Sequence, residues 1–207
     1  MKGFTPNISV APKIERPFPD KEILWNSQGG GQYCFPTSDE ARLRTYSDYP
    51  IPLQKFGIAV ANAQERIWIV DAYIFTPDNE KPSQRIEQIL EWLPICLEAS
   101  DIRLLTKQSQ EIDEVEIKIL EQRAQDINAH AARREKECRI EVRRHLTQND
   151  CNFIHDRFAI IDDELWHFGG TVGGFHSKVS AASRGWRASE HGAIRFFEEI
   201  WNAGKNK

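Results

Sequence analysis

The stretch FIHDRFAIIDDELWHFGGTVGG, Phe153 to Gly174, decides how this chain is read. Two apolar runs, Phe158-Ala159-Ile160-Ile161 and Leu165-Trp166-His167-Phe168, flank Asp162-Asp163-Glu164. Apolar runs on either side of a short polar turn predict a β-hairpin. His155 and Arg157 stand two residues apart just ahead of it. On an extended segment such residues share a face, because side chains alternate with period two. Imidazole is a competent nucleophile near neutral pH, since much of it is unprotonated. A guanidinium keeps its charge and grips two phosphate oxygens with its planar fork. Gly169 and Gly170 follow the second run, where backbone N–H groups can approach an anion closely. The stretch reads either as a phosphoryl-transfer site or as a buried hairpin with a histidine at its mouth.

The surrounding sequence sets the fold. Leu53 to Gln64 has helical apolar spacing, and residues 67–75 form a nearly continuous apolar run, the pattern of a strand covered on both faces. A helix follows from Ser83, with Ile86, Ile89, Leu90, Leu93 and Leu97 apolar, and then a strand over Asp101–Thr106. Glu111 to about Glu137 reads as one long amphipathic helix, and Arg139–Arg143 alternates as a strand. Arg195–Trp201 reads as a terminal helix preceded by one more strand. Strands alternating with helices imply right-handed crossovers. The expected fold class is α/β, a mixed, mainly parallel sheet covered by helices on both faces, occupying residues 51–207. Residues 1–50 are expected to be an N-terminal arm or extension. Residues 1–20 carry four prolines, and residues 22–26 and 32–36 suggest short strands around Gly29-Gly30-Gly31. No GK[ST] follows that triple glycine, so it reads as a turn rather than a phosphate loop.

With 207 residues and 40% hydrophobic content, the chain is long enough for one sizeable core. The net charge of -4 and pI of about 5.9 give no whole-chain signal for nucleic acid, so any basic surface must be local. No apolar run approaches the ~20 residues that span a bilayer. The first residues lack the apolar region of a secretory signal, which leads to the expectation of a cytoplasmic protein with no membrane partner. Cys34, Cys96, Cys138 and Cys151 are expected to be free thiols, and no Cys/His spacing suggests a metal, so no metal or cofactor is expected.

The spacing His155-x-Arg157-(x)4-Asp162-(x)6-Gly169-Gly170 resembles the phospholipase D superfamily, whose signature is HxK(x)4D(x)6GSxN. Arg157 replaces the lysine and keeps its charge. Gly170 replaces the serine, with the hydroxyl of Thr171 next door, and Val172 replaces the asparagine. The run ERIWIVDAYIF is similar to the family's first core strand, and the resemblance covers roughly residues 50–201. It implies a phospholipase D-like fold and, for a chain with one motif, a site built across a homodimer. One His155 attacks phosphorus to form a phosphohistidine, and the other subunit's His155 protonates the leaving oxygen. Paired Arg157 side chains neutralise the transferring group. Asp162 either orients the site or holds the hairpin turn. Glu190 looks like the family's carboxylate that orients the histidine.

Further polar residues are candidate substrate contacts. Gly169, Gly170 and Thr171 stand where a phosphate oxygen is approached, Lys178, Arg184 and Arg187 can meet a phosphate backbone, and Trp186 can stack a base. Lys107 follows a strand end, where open sheets bind ligands. The expected function is a metal-independent phosphodiesterase, a nuclease acting on nucleic acid as a homodimer. The alternative is a catalytically degenerate dimerisation or nucleic-acid-binding module that works with a partner enzyme. The N-terminal region is a candidate protein-partner site.

Overall fold

A computed structural model describes residues 17–27, 33–47, 51–76, 82–108, 114–130, 136–146 and 151–203. Alternate residues of β2 (Arg66–Val70) enter two different cores. Ile67 and Ile69 face one and Trp68 and Val70 the other, which is why the strand is apolar at nearly every position. β2 pairs in parallel with β3 (Asp101–Leu105), and β3 with β4 (Arg139–Arg143). The helices α3 (Pro82–Trp92) and α4 (Glu114–Ala129) make the two crossovers. On its other side β2 pairs antiparallel with β5 (Phe158–Ile161), the first strand of the expected hairpin with β6 (Glu164–Phe168). Two more antiparallel steps add β7 (Ala181–Arg187) and β1 (Glu22–Trp25). The order is β1-β7-β6-β5-β2-β3-β4. Strands β1, β2, β3, β4 and β6 run one way and β5 and β7 the other, so the sheet is mixed with one prevailing direction.

Helices cover both faces, as the sequence predicts. On one face α2 (Gln54–Ala61), α3 and α4 contribute Phe56, Ile89, Trp92, Leu120 and Ile127. On the other, α5 (Ala193–Asn202) contributes Phe197, Ile200 and Trp201. Phe56 is completely buried and meets Trp92, Trp166 and Phe168 edge-on, with centroids at 5.1, 5.3 and 5.1 Å. Truncating such a core aromatic costs roughly 3–5 kcal/mol.

Three expectations are corrected. The strand expected over residues 67–75 stops at Val70, because the Asp71 carboxylate accepts the Tyr73 amide at 2.8 Å and turns the chain. Residues 33–36 form no strand, and Gly29-Gly30-Gly31 lies outside the described residues. β1 pairs with β7 instead, because Leu24 is needed in the main core. The helix α1 (Ser38–Thr45) follows, started by a capping box in which Thr37 Oγ1 accepts the Glu40 amide and Glu40 Oε2 accepts the Thr37 amide. Finally, α4 ends at Ala129 rather than near Glu137. The Asn128 side chain donates to the Cys138 carbonyl at 2.9 Å and accepts its amide at 2.7 Å, which draws the chain back into β4. Residues 111–113 and 131–135 of that expected helix lie outside the described residues.

Of the expected N-terminal extension, α1 packs toward this sheet through Arg44. Its guanidinium is fully buried and donates to the carbonyls of Ser27, Ile51, Gly174 and His176, at 2.9, 2.8, 2.5 and 3.1 Å. One charge thereby ties α1 to the loop that follows β6.

Candidate functional site

The site sits where the sheet changes sense. β2 lies between a parallel neighbour, β3, and an antiparallel one, β5. The carboxyl ends of β2 and β3 and the amino end of β5 meet at one edge, since Val70 is opposite both Leu105 and Phe158. In open α/β sheets this is where ligands bind. Three segments supply side chains there: Asp71–Tyr73 after β2, Lys107 after β3, and His155–Arg157 before β5.

Asp71 has no exposed surface. Its Oδ1 accepts the Tyr73 amide and its Oδ2 the Val172 amide, both at 2.8 Å. Arg157 Nε lies 3.8 Å from Oδ1. Burial pushes the Asp71 carboxyl above its ordinary range, although the two amides and the charges of Arg157 and Arg85 oppose that shift. The ring of Tyr73 carries two cations, Lys107 Nζ at 3.8 Å and the Arg157 guanidinium at 4.9 Å from its centroid. Two positive charges thus meet one aromatic ring, and one of them also meets a buried carboxylate. His155, two residues from Arg157, is exposed. The Arg157 carbonyl accepts the Phe168 amide at 2.9 Å, which fixes this segment against β6.

Gly169, Gly170 and Thr171 leave β6 at the same edge. A side-chain carbon on Gly170 would overlap the imidazole of His176 and reach 2.9 Å from Ser180 Oγ. His176 is buried, 3.1 Å from Ser180 Oγ and 3.4 Å from Asn26 Nδ2. Gly170 therefore makes room for a histidine. Val172, in the asparagine slot, is fully buried and reaches Asp71 through its backbone amide.

Other candidate residues lie elsewhere. Asp162 is at the far end of β5, about 13 Å along a four-residue strand. Its carboxylate accepts the amides of Gln64, Glu65 and Arg66 at 2.7–3.1 Å, so it holds the hairpin turn rather than the histidine. Its φ of 55° is the left-handed conformation that a tight turn needs and that Asp tolerates. Glu190 follows β7 at that same far end, 3.7 Å from Arg187, and the structure does not bring it to His155. Arg187 also pairs with Asp163 at 3.3 Å. Burial opposes ionisation of Asp163, but the Ser189 amide and hydroxyl and Arg187 together hold its pKa below the ordinary value. Arg184 is engaged by Glu164 through two contacts of 2.6 and 3.1 Å, between β7 and β6. Arg184 and Arg187 are therefore bound within the fold, away from the crevice. Lys178 is exposed, in the loop after His176.

Sequence reasoning missed Asp71 and Tyr73. The signal was present as an ionisable residue inside an otherwise apolar run, which is costly unless it is partnered. Among the described residues no cluster of His, Cys, Asp and Glu has the geometry to hold a metal ion. No described helix is long and apolar enough to cross a membrane.

No protein-family model matches the sequence, and no curated protein matches it. Among solved structures the chain is similar to NucT from Helicobacter pylori, at 10% identity and a TM-score of 0.45, over 89% of this chain and 98% of that one. It is similar to phosphatidylserine synthase from Haemophilus influenzae Rd KW20, at 12% identity and a TM-score of 0.46, over 86% of this chain and 36% of that one. A third likeness, at 9% identity and a TM-score of 0.38, is to TrmBL2, an archaeal chromatin protein, over 72% of this chain and 47% of that one. The chain thus spans about half the length of TrmBL2 and about a third of the synthase.

Proposed function

We propose that this chain is a phosphodiesterase acting on nucleic acid, with His155 as its nucleophile. The observation that carries the reading is the cluster at the switch in strand sense. There an exposed imidazole lies two residues from Arg157, and Arg157 and Lys107 converge on Tyr73. Two fixed cations stabilise the charge that builds on a phosphoryl group during transfer. A ring nitrogen of His155 attacks phosphorus, the bond to the leaving oxygen breaks, and a phosphohistidine forms. The leaving oxygen takes a proton from a second imidazole, the His155 of another copy across a two-fold axis. Water then attacks the intermediate, giving its proton to that second imidazole and releasing His155. Asp71 holds Arg157 from beneath and, through Val172, fixes the loop after β6.

Excess EDTA and labelled single- and double-stranded DNA and RNA test the reading. Wild-type protein is expected to cleave at least one substrate, and His155→Ala to lose that cleavage while keeping its fold. A second reading, a phosphodiester-binding module that serves a partner enzyme, is favoured by one observation: His176 fills the space of the signature serine at Gly170. Wild-type binding without cleavage selects that second reading.

A further inference from the structure

A cavity lies on the α5 face of the sheet, reaching Asp156 beside the proposed phosphate site. It has a volume of about 400 Å³, within the range of small-molecule sites. Phe158, Trp186 and Phe196 give it aromatic walls, and His167, His191 and Ser183 give it polar groups. One polar group is oriented. His167 Nδ1 lies 3.0 Å from Asp156 Oδ2, which leaves Nε2 as the ring's other hydrogen-bonding atom. Lys21 Nζ, 5.5 Å from the Trp186 ring centroid, adds positive charge beside the indole.

Asp156, which also lines this cavity, is bonded in the chain to both His155 and Arg157. Asp156 lines the cavity while its neighbour Arg157 reaches Asp71 and Tyr73 in the crevice. The phosphate crevice and the cavity thus meet at one three-residue segment.

We infer that this cavity is a nucleobase pocket, taking the base of a nucleotide that flanks the phosphate held at His155 and Arg157. Flat aromatic walls suit a planar heterocycle, and bases stack on such side chains regardless of sequence. The nitrogen and hydroxyl of His167, His191 and Ser183 meet the ring edges and exocyclic groups of a base, whereas a purely apolar ligand leaves them unpaired. The inference rests on the phosphodiester reading for the phosphate and on the cavity alone for the base.

Two titrations separate these parts. Free nucleosides carry a base and no phosphate. Followed by NMR at the Trp186 indole, they are expected to shift that resonance saturably, and equilibrium dialysis reads their affinity in wild type and in variants that lack the indole. Trp186→Ala and His191→Ala are expected to weaken nucleoside binding by about tenfold, and Trp186→Phe, which keeps an aromatic face, to weaken it less. If saturating nucleosides leave the indole unmoved, or if binding is equal in wild type and Trp186→Ala, the pocket is overturned. An abasic oligonucleotide carries phosphates and no base. Its binding, weakened in Arg157→Ala, reports on the phosphodiester reading by itself. Nucleoside binding without abasic binding supports the pocket and overturns the phosphodiester reading, and the reverse result does the opposite.

Discussion

At the scale of single residues, Gly170 and Asp71 set the local geometry of the candidate site. Gly170 is required because His176 occupies the space its side chain would take. Gly170→Ser is expected to destabilise the fold by about 1–3 kcal/mol through overpacking. Adding His176→Ala should recover much of that loss, and paired thermal melts check the coupling. Asp71 gives a pH signature. Its carboxyl is held above the ordinary range, so its stabilising contribution is complete below the usual carboxylate pKa and is lost as pH rises through the raised value. Asp71→Asn removes that titration. The melting temperature of wild type relative to Asp71→Asn should therefore be most favourable at acid pH and become less so as pH rises. The position of His155 and Arg157 just ahead of β5 was legible in the sequence, because the apolar run that makes the strand is local. That Glu190 and Arg187 emerge at the far end of the sheet was not legible, because spacing does not say at which end a residue emerges.

At the scale of elements, the β5–β6 hairpin and the strand-helix-strand series followed directly from apolar periodicity. The turn between β5 and β6 is held by one carboxylate that accepts three amides. Asp162→Ala should cost about 1.5–3 kcal/mol in a denaturant titration, since hydrogen bonds to a charged group are lost. Asp162→Asn keeps an acceptor and is expected to cost less. These effects belong to stability, and the cleavage rate per folded molecule should change little. The α1 helix went unread although Thr37 and Glu40 carry the capping-box spacing, because its first turns lack an apolar stripe. The partner of β1 was also hidden: Leu24 sits opposite Ala182, a pairing that no local pattern encodes.

At the scale of the whole molecule, the fold collects Asp71, Tyr73, Lys107, His155 and Arg157 from three distant segments at one edge of the sheet. Their convergence makes the candidate site, and it follows from strand order rather than from any single run of sequence. One imidazole attacks and another protonates, so the proposed reaction requires two copies. If wild type and His155→Ala are mixed equally and allowed to exchange subunits, activity should fall to about one quarter, as expected for a two-fold dimer in which both histidines are needed. A fall to one half contradicts a shared site.

The most direct test of the central claim is mass spectrometry of the protein quenched in alkali during turnover, where phosphohistidine survives. The account predicts a nucleotidyl adduct on His155 that is absent from His155→Ala. Cleavage by the wild type with the adduct on another residue, or undiminished cleavage by His155→Ala, contradicts it.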